Sequence, residues 1–96
     1  MNPDLNPTPL EKLRHKKGWR LNRVETELKE RGTPISYPTL LRIEHGYRTV
    51  VERDKEGNIV SEKKMPYTPR PGYLLILAKL FKVKNANEIY EDRSKS

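Results

Sequence analysis

Cysteine is absent from the 96 residues, which excludes disulfide scaffolds, thiolate zinc sites and cysteine nucleophiles. Histidine is scarce. His15 and His45 are too few for a typical metal cluster, so neither a metal nor a cofactor is expected. No apolar run reaches the ~18 residues that a membrane span needs, so no membrane partner is expected. The opening MNPDLNPTPL has no basic start followed by an apolar run and does not read as a signal peptide. Large apolar residues are few: one Phe, one Trp, and 22 of 96 residues that are Leu, Ile, Val or Phe. A highly charged chain only slightly poorer than this stays disordered. Folding therefore requires those residues to be concentrated, around a thin core. Acidic residues are the minority, 13 against 20 Lys and Arg, giving a net charge of +7. Such an excess points to a polyanion, nucleic acid or an anionic membrane, or else to a solubilising surface. The expectation is one small basic domain in the cytoplasm.

The apolar residues are indeed concentrated. Residues 1–7 are polar, with two prolines, and read as a flexible arm before a single domain over 8–91. Thr8-Pro9-Leu10-Glu11 has the form of a helix start, with Thr8 as cap, Pro9 at the first position and Glu11 reaching back. Gly18 after Lys16-Lys17 stops that helix, predicted over 9–17. Leu21, Val24 and Leu28 recur at helical spacing and predict a second helix over 20–31. Ser36 caps a third over 37–45, with Leu40 and Ile43 inward, and Gly46 closes it. Thr49-Val50-Val51 and Asn58-Ile59-Val60 flank a polar turn and predict a projecting hairpin over 48–64. A proline-rich connector leads to the most apolar stretch, Tyr73–Phe81, expected as a buried fourth helix. Asn85-Ala86-Asn87-Glu88 repeats the capping pattern and predicts a short fifth helix through Ile89 and Tyr90, followed by a frayed tail over 92–96.

The second and third helices, joined through Gly32, form a candidate helix-turn-helix. Leu13-Arg14, Lys17-Gly18-Trp19, Val24, Leu28, Ile35-Ser36, Thr39-Leu40 and Arg42-Ile43-Glu44-His45-Gly46 follow one another in order. This run resembles the lambda-repressor-like, or XRE, family of helix-turn-helix DNA-binding proteins. Pro69 and Leu74–Val83 are similar to that family's fourth helix, so the resemblance covers about 10–47 and 69–91. It implies a mainly α, five-helix domain, here with a β-hairpin inserted between the third and fourth helices. The segment Lys29–Pro34 is longer than the family's tight turn.

The amino-terminal end of such a third helix enters the major groove. With Leu40 and Ile43 taken by the core, Tyr37, Pro38, Leu41 and Arg42 face outward as candidate base contacts. The resemblance sets Tyr37, Pro38 and Arg42 at base-reading positions and Ser36 at a phosphate, with Thr39 beside it. Arg42 can bond a guanine edge or pair internally with Glu44 or Glu30. Tyr37 can meet a thymine methyl or a phosphate, or be a partly buried staple. Glu44 is assigned to structure, paired with Arg14 or Arg42. Trp19 and Phe81 are assigned to the core.

From Lys12 to Arg23 six cations occur without an acid. Lys16, Lys17, Arg20 and Arg23 are its candidate phosphate contacts, with Arg48 a further one at the foot of the hairpin. The other reading of that run is a solvated helix face. On the hairpin, Arg53, Lys55, Lys63 and Lys64 suggest a wing on the DNA backbone. A dimerisation arm and a plain loop are the other readings.

No triad order, phosphate loop or metal spacing is present, so no enzyme activity is expected. The expected function is sequence-specific binding of double-stranded DNA by a homodimer, as a transcriptional regulator acting by repression in a bacterial or phage-type nucleoid. Two alternatives stand beside it. One is an antitoxin or phage-type regulator that binds a protein partner on the same fold. The other is an architectural or replication-linked DNA binder.

Overall fold

The computed structural model describes residues 7–94. Residues 1–6 of the expected arm and 95–96 of the expected tail lie outside the described residues. The elements run α1 (Pro9–Lys16), α2 (Leu21–Glu30), α3 (Tyr37–His45), β1 (Arg48–Arg53), β2 (Ile59–Met65) and α4 (Pro71–Phe81), then a single 3-10 turn at Ala86–Glu88.

The expectation of a mainly α, five-helix domain is corrected. The described residues hold four α-helices and a two-stranded antiparallel sheet, a mixed α/β class. The fifth helix is replaced by the 3-10 turn. Its start signal works as expected, since Glu88 Oε2 accepts the Asn85 N–H at 3.0 Å and the Lys84 N–H at 3.2 Å. A cap marks where a helix begins and not how long it runs. Here Ile89 is fully buried, and the Tyr90 hydroxyl donates to Tyr67 O and, at 3.4 Å, to Gly46 O. These tertiary contacts turn the chain away after one turn.

Each helix has an identifiable stop. Gly18, at φ +68°, lets the Gly18 and Trp19 N–H groups return to His15 O and Arg14 O. The same pattern of bonds ends α2 at Gly32 and Thr33. The starts agree less well with expectation. Thr8 holds the N-cap position of α1 but makes no capping bond, and its buried hydroxyl has no partner among the described residues. α4 begins two residues before Tyr73, because Pro71 fits a first helical turn at no cost.

The core joins Leu10 of α1, Leu21, Val24 and Leu28 of α2, Ile35 from the segment before α3, Leu40 and Ile43 of α3, Leu77, Leu80 and Phe81 of α4, and Ile89. Trp19 packs on Phe81 with ring centroids 6.0 Å apart. α4 carries more apolar residues than it has buried face, so Leu75 is 64% exposed. Gly46 ends α3 at φ +81°, and a Cβ there would lie 2.1 Å from Glu91 O. The chain can cross so closely only at glycine. Arg93 completes the crossing: its N–H donates to Gly46 O at 2.8 Å and its guanidinium to Pro7 O at 3.2 Å.

β1 and β2 pair from Arg48↔Met65 to Glu52↔Ser61, then Arg53↔Ile59. Val60 is thus the extra residue of a bulge. Half-buried Val50, Ser61 and Met65 lie on one face of the ribbon, and every other strand residue is exposed. The turn is tied by Asp54, whose Oδ1 accepts the Glu56 and Asn58 N–H groups, each at 2.9 Å.

Candidate nucleic-acid interface

α3 is held in place from three directions. Leu40 and Ile43 anchor its inner face in the core. Near its carboxyl end, Glu44 is 5% exposed and accepts from Arg14 Nε at 2.7 Å. The same guanidinium donates to Trp19 O at 2.9 Å, so α1, the α1–α2 turn and α3 meet at one side chain. At its amino end, Glu25 of α2 accepts the Tyr37 N–H at 2.8 Å. Sequence reading missed Glu25. Its only signal was its place beside Val24, on the edge of the α2 face that packs toward α3.

The outward surface of α3 is formed by Tyr37, Pro38 and Arg42, all exposed. Leu41 is half-buried and packs against the core, so it offers less surface than the three beside it. The one acid of α3, Glu44, is buried and paired, leaving the exposed face of the helix without negative charge. Ser36 and Thr39 bond each other through their hydroxyls at 2.9 Å. With the Glu25 carboxylate beside them, they are less suited to a phosphate than the sequence suggested.

The run from Lys12 to Arg23 looks different once folded. Two of its six cations are matched by acids from outside the run. Arg14 pairs with Glu44, and Arg23 pairs with Glu27 through Nε at 2.9 Å and Nη2 at 2.8 Å. Lys17 and Arg23 also lie over the Trp19 ring, at 5.0 and 5.5 Å from its centroid. Lys12, Lys16, Lys17 and Arg20 remain exposed without an ion pair among the described residues. Arg20 is the N-cap of α2, whose first turn holds no acid. That end of the helix therefore favours an anion.

The hairpin candidates also divide. Arg53 donates to Gly57 O at 2.9 Å and serves the turn. Lys64 lies 4.7 Å from the Tyr47 ring centroid, and His45 stacks with that ring at 5.6 Å. Together these contacts join the foot of the hairpin to the end of α3. Lys55 and Lys63 remain exposed.

Arg42 and Arg48 border one space. With Thr49, Pro66, Tyr67 and Thr68 they line a cavity of about 460 Å³ between α3, the foot of β1 and the connector. Neither guanidinium has a hydrogen bond or ion pair among the described residues, and no carboxylate lines the space. The internal pairing of Arg42 with Glu44 or Glu30 does not form.

No helix among the described residues is long and apolar enough to cross a membrane. Comparison of the chain with protein-family models, with curated proteins and with solved structures finds no match.

Proposed function

We propose that this chain binds double-stranded DNA with sequence preference and regulates transcription, by occupying a site that polymerase needs. The observation that carries this reading is α3. Its outward face is free of acid, and it is braced by Glu25 and by the Arg14–Glu44 pair. A rigid helix presenting Tyr37 and Pro38 at its amino end suits entry into a major groove. Lys16, Lys17 and Arg20 supply the sequence-independent attraction to phosphate. The resemblance of the α2–α3 pair to XRE helix-turn-helix proteins supports the same reading. Its setting is the bacterial or phage-type cytoplasm, and no catalytic step is assigned.

A homodimer belongs to the proposal, because one such module touches few base pairs. Two-fold symmetry sets two half-sites about 34–36 Å apart, or a multiple of that. On the hairpin, Val51, Ile59 and Val60 are 38%, 56% and 62% exposed, which favours a second copy as their cover. A protein-binding regulator is the second reading, and the same three exposed apolar residues are what favour it.

The test is selection of bound sequences from random duplexes at a stated salt concentration, followed by competition. The expected result is an enriched half-site whose preference narrows for the wild type and relaxes for Tyr37→Ala. Equal affinity for every sequence refutes the reading.

A further inference from the structure

Two cationic side chains that line one space repel each other, and an anion between them relieves that repulsion. Arg42 comes from α3 and Arg48 from the foot of β1, and each is exposed and unpaired among the described residues. Their shared cavity is also lined by Thr49 and Thr68, and no acidic residue lines it. Its far wall is fixed in advance. The Tyr90 hydroxyl holds Tyr67 O, and Pro66 and Pro69 stiffen the connector. A preformed pocket of this composition matches a phosphate group, which two arginines can grip through paired N–H donors.

We propose that this cavity clamps a backbone phosphodiester of the bound DNA between Arg42 and Arg48. The proposal rests on the DNA-binding reading and changes one part of the sequence-based assignment. Arg42 becomes a phosphate ligand, and base reading falls to Tyr37 and Pro38. The position of Arg42 supports a diester of the duplex as the source. It stands one helical turn beyond Pro38 on the outward side of α3. A strand passing the amino end of the helix therefore reaches the cavity next. The volume of about 460 Å³ leaves room for sugar on either side of the phosphate. A free phosphate ester has the same chemistry and is the other source to be distinguished.

The experiment uses the full chain with ¹⁵N-labelled arginine side chains. It is titrated first with inorganic phosphate and then with the selected duplex and a shuffled one. R42Q, R48Q and the double variant are compared with R53Q, a cation already committed to the hairpin turn. Phosphate is expected to shift the Arg42 and Arg48 Nε–Hε signals saturably and leave Arg53 unmoved. Both duplexes are expected to shift the same two signals. R42Q and R48Q should each weaken both duplexes about tenfold and lower the salt slope by about one. The double variant should lose little more than either single one, because both arginines hold one phosphate.

Three results overturn the proposal. In the first, R42Q alters preference at one base pair, which makes Arg42 a base reader. In the second, the duplex binds with preference but leaves both signals in place. In the third, phosphate saturates the pair while neither duplex binds, which assigns the cavity to a free phosphate ester. Only the third also removes the DNA-binding reading, so the two failures are told apart.

Discussion

Glu44→Gln tests whether α3 is braced as described. The carboxylate and the Arg14 guanidinium are 2.7 Å apart, with side chains 7% and 15% exposed. At that burial the pair is poorly screened, unlike a surface bridge worth about 0–1 kcal/mol. Removing one partner of a buried pair costs about 3–5 kcal/mol, because the other charge stays behind uncompensated. Glutamine keeps an acceptor oxygen near Arg14 Nε, which recovers part of this, so a loss of about 2–3 kcal/mol is expected. Roughly 5–14 kcal/mol is typical for a chain of this size, so the variant loses a large share of its stability. Urea unfolding followed by Trp19 fluorescence measures it. Trp19 is the only tryptophan, and its carbonyl is held by Arg14. With a urea slope of about 1–2 kcal/mol/M, the midpoint should fall by about 1–3 M at unchanged slope. The double variant R14M/E44L removes both charges and should be more stable than Glu44→Gln alone. A loss below about 1 kcal/mol, with the slope unchanged, would show that water screens the pair, and the bracing argument would fail.

Three further perturbations address the ends of α3 and the hairpin. Gly46→Ala sets a Cβ against Glu91 O in a left-handed residue, and a backbone atom cannot swing away. A loss of about 3 kcal/mol in thermal unfolding is expected, and a loss under about 1 kcal/mol would contradict the close crossing. Glu25→Ala removes both the acceptor for Tyr37 N–H and a negative charge beside the proposed DNA face. It should cost about 1 kcal/mol of stability yet tighten binding to shuffled duplex; weaker binding would show that the α3 angle matters more than the charge. The Asp54 carboxyl is held below its ordinary value of 3.8, chiefly by the hydrogen bond from the Asn58 backbone N–H. Because the folded value is the lower one, the turn is fully supported above pH 3.8 and loses that support as pH falls through the folded value. The Glu56 and Asn58 amide shifts should titrate with a midpoint under 3.8, and a midpoint at or above it would contradict the turn geometry.

Local signals carried the fold well where local physics decides it. The glycines at 18, 32 and 46 end three helices because a left-handed residue after a helix needs only its neighbours. The hairpin was equally readable, since β-branched arms around Asp54–Gly57 suffice to set its turn. Failures came where a distant contact overrules a local pattern. The capping signal at Asn85 could not announce that Ile89 would be drawn into the core after one turn. The apolar stretch from Leu74 to Leu80, interrupted only by Lys79, did not reveal that Leu75 faces out, because apolar letters alone do not say which side has a partner.

The charged surface shows the same limit most sharply. In the sequence the stretch from Lys12 to Arg23 looks purely cationic. Its acids were present all along, Glu44 thirty positions from Arg14 and Glu27 one turn beyond Arg23. Arg42 went the opposite way. Glu44 stood two residues off as an obvious partner, yet at that spacing two helical side chains point apart, and Glu44 turned inward to Arg14. A cation contributes to binding only if no carboxylate folds onto it, so a count along the chain overstates some residues and understates others. Pairing in space leaves Lys12, Lys16, Lys17 and Arg20 of the basic run without an ion pair among the described residues, and it adds Arg42 and Arg48, which line one space from two different elements.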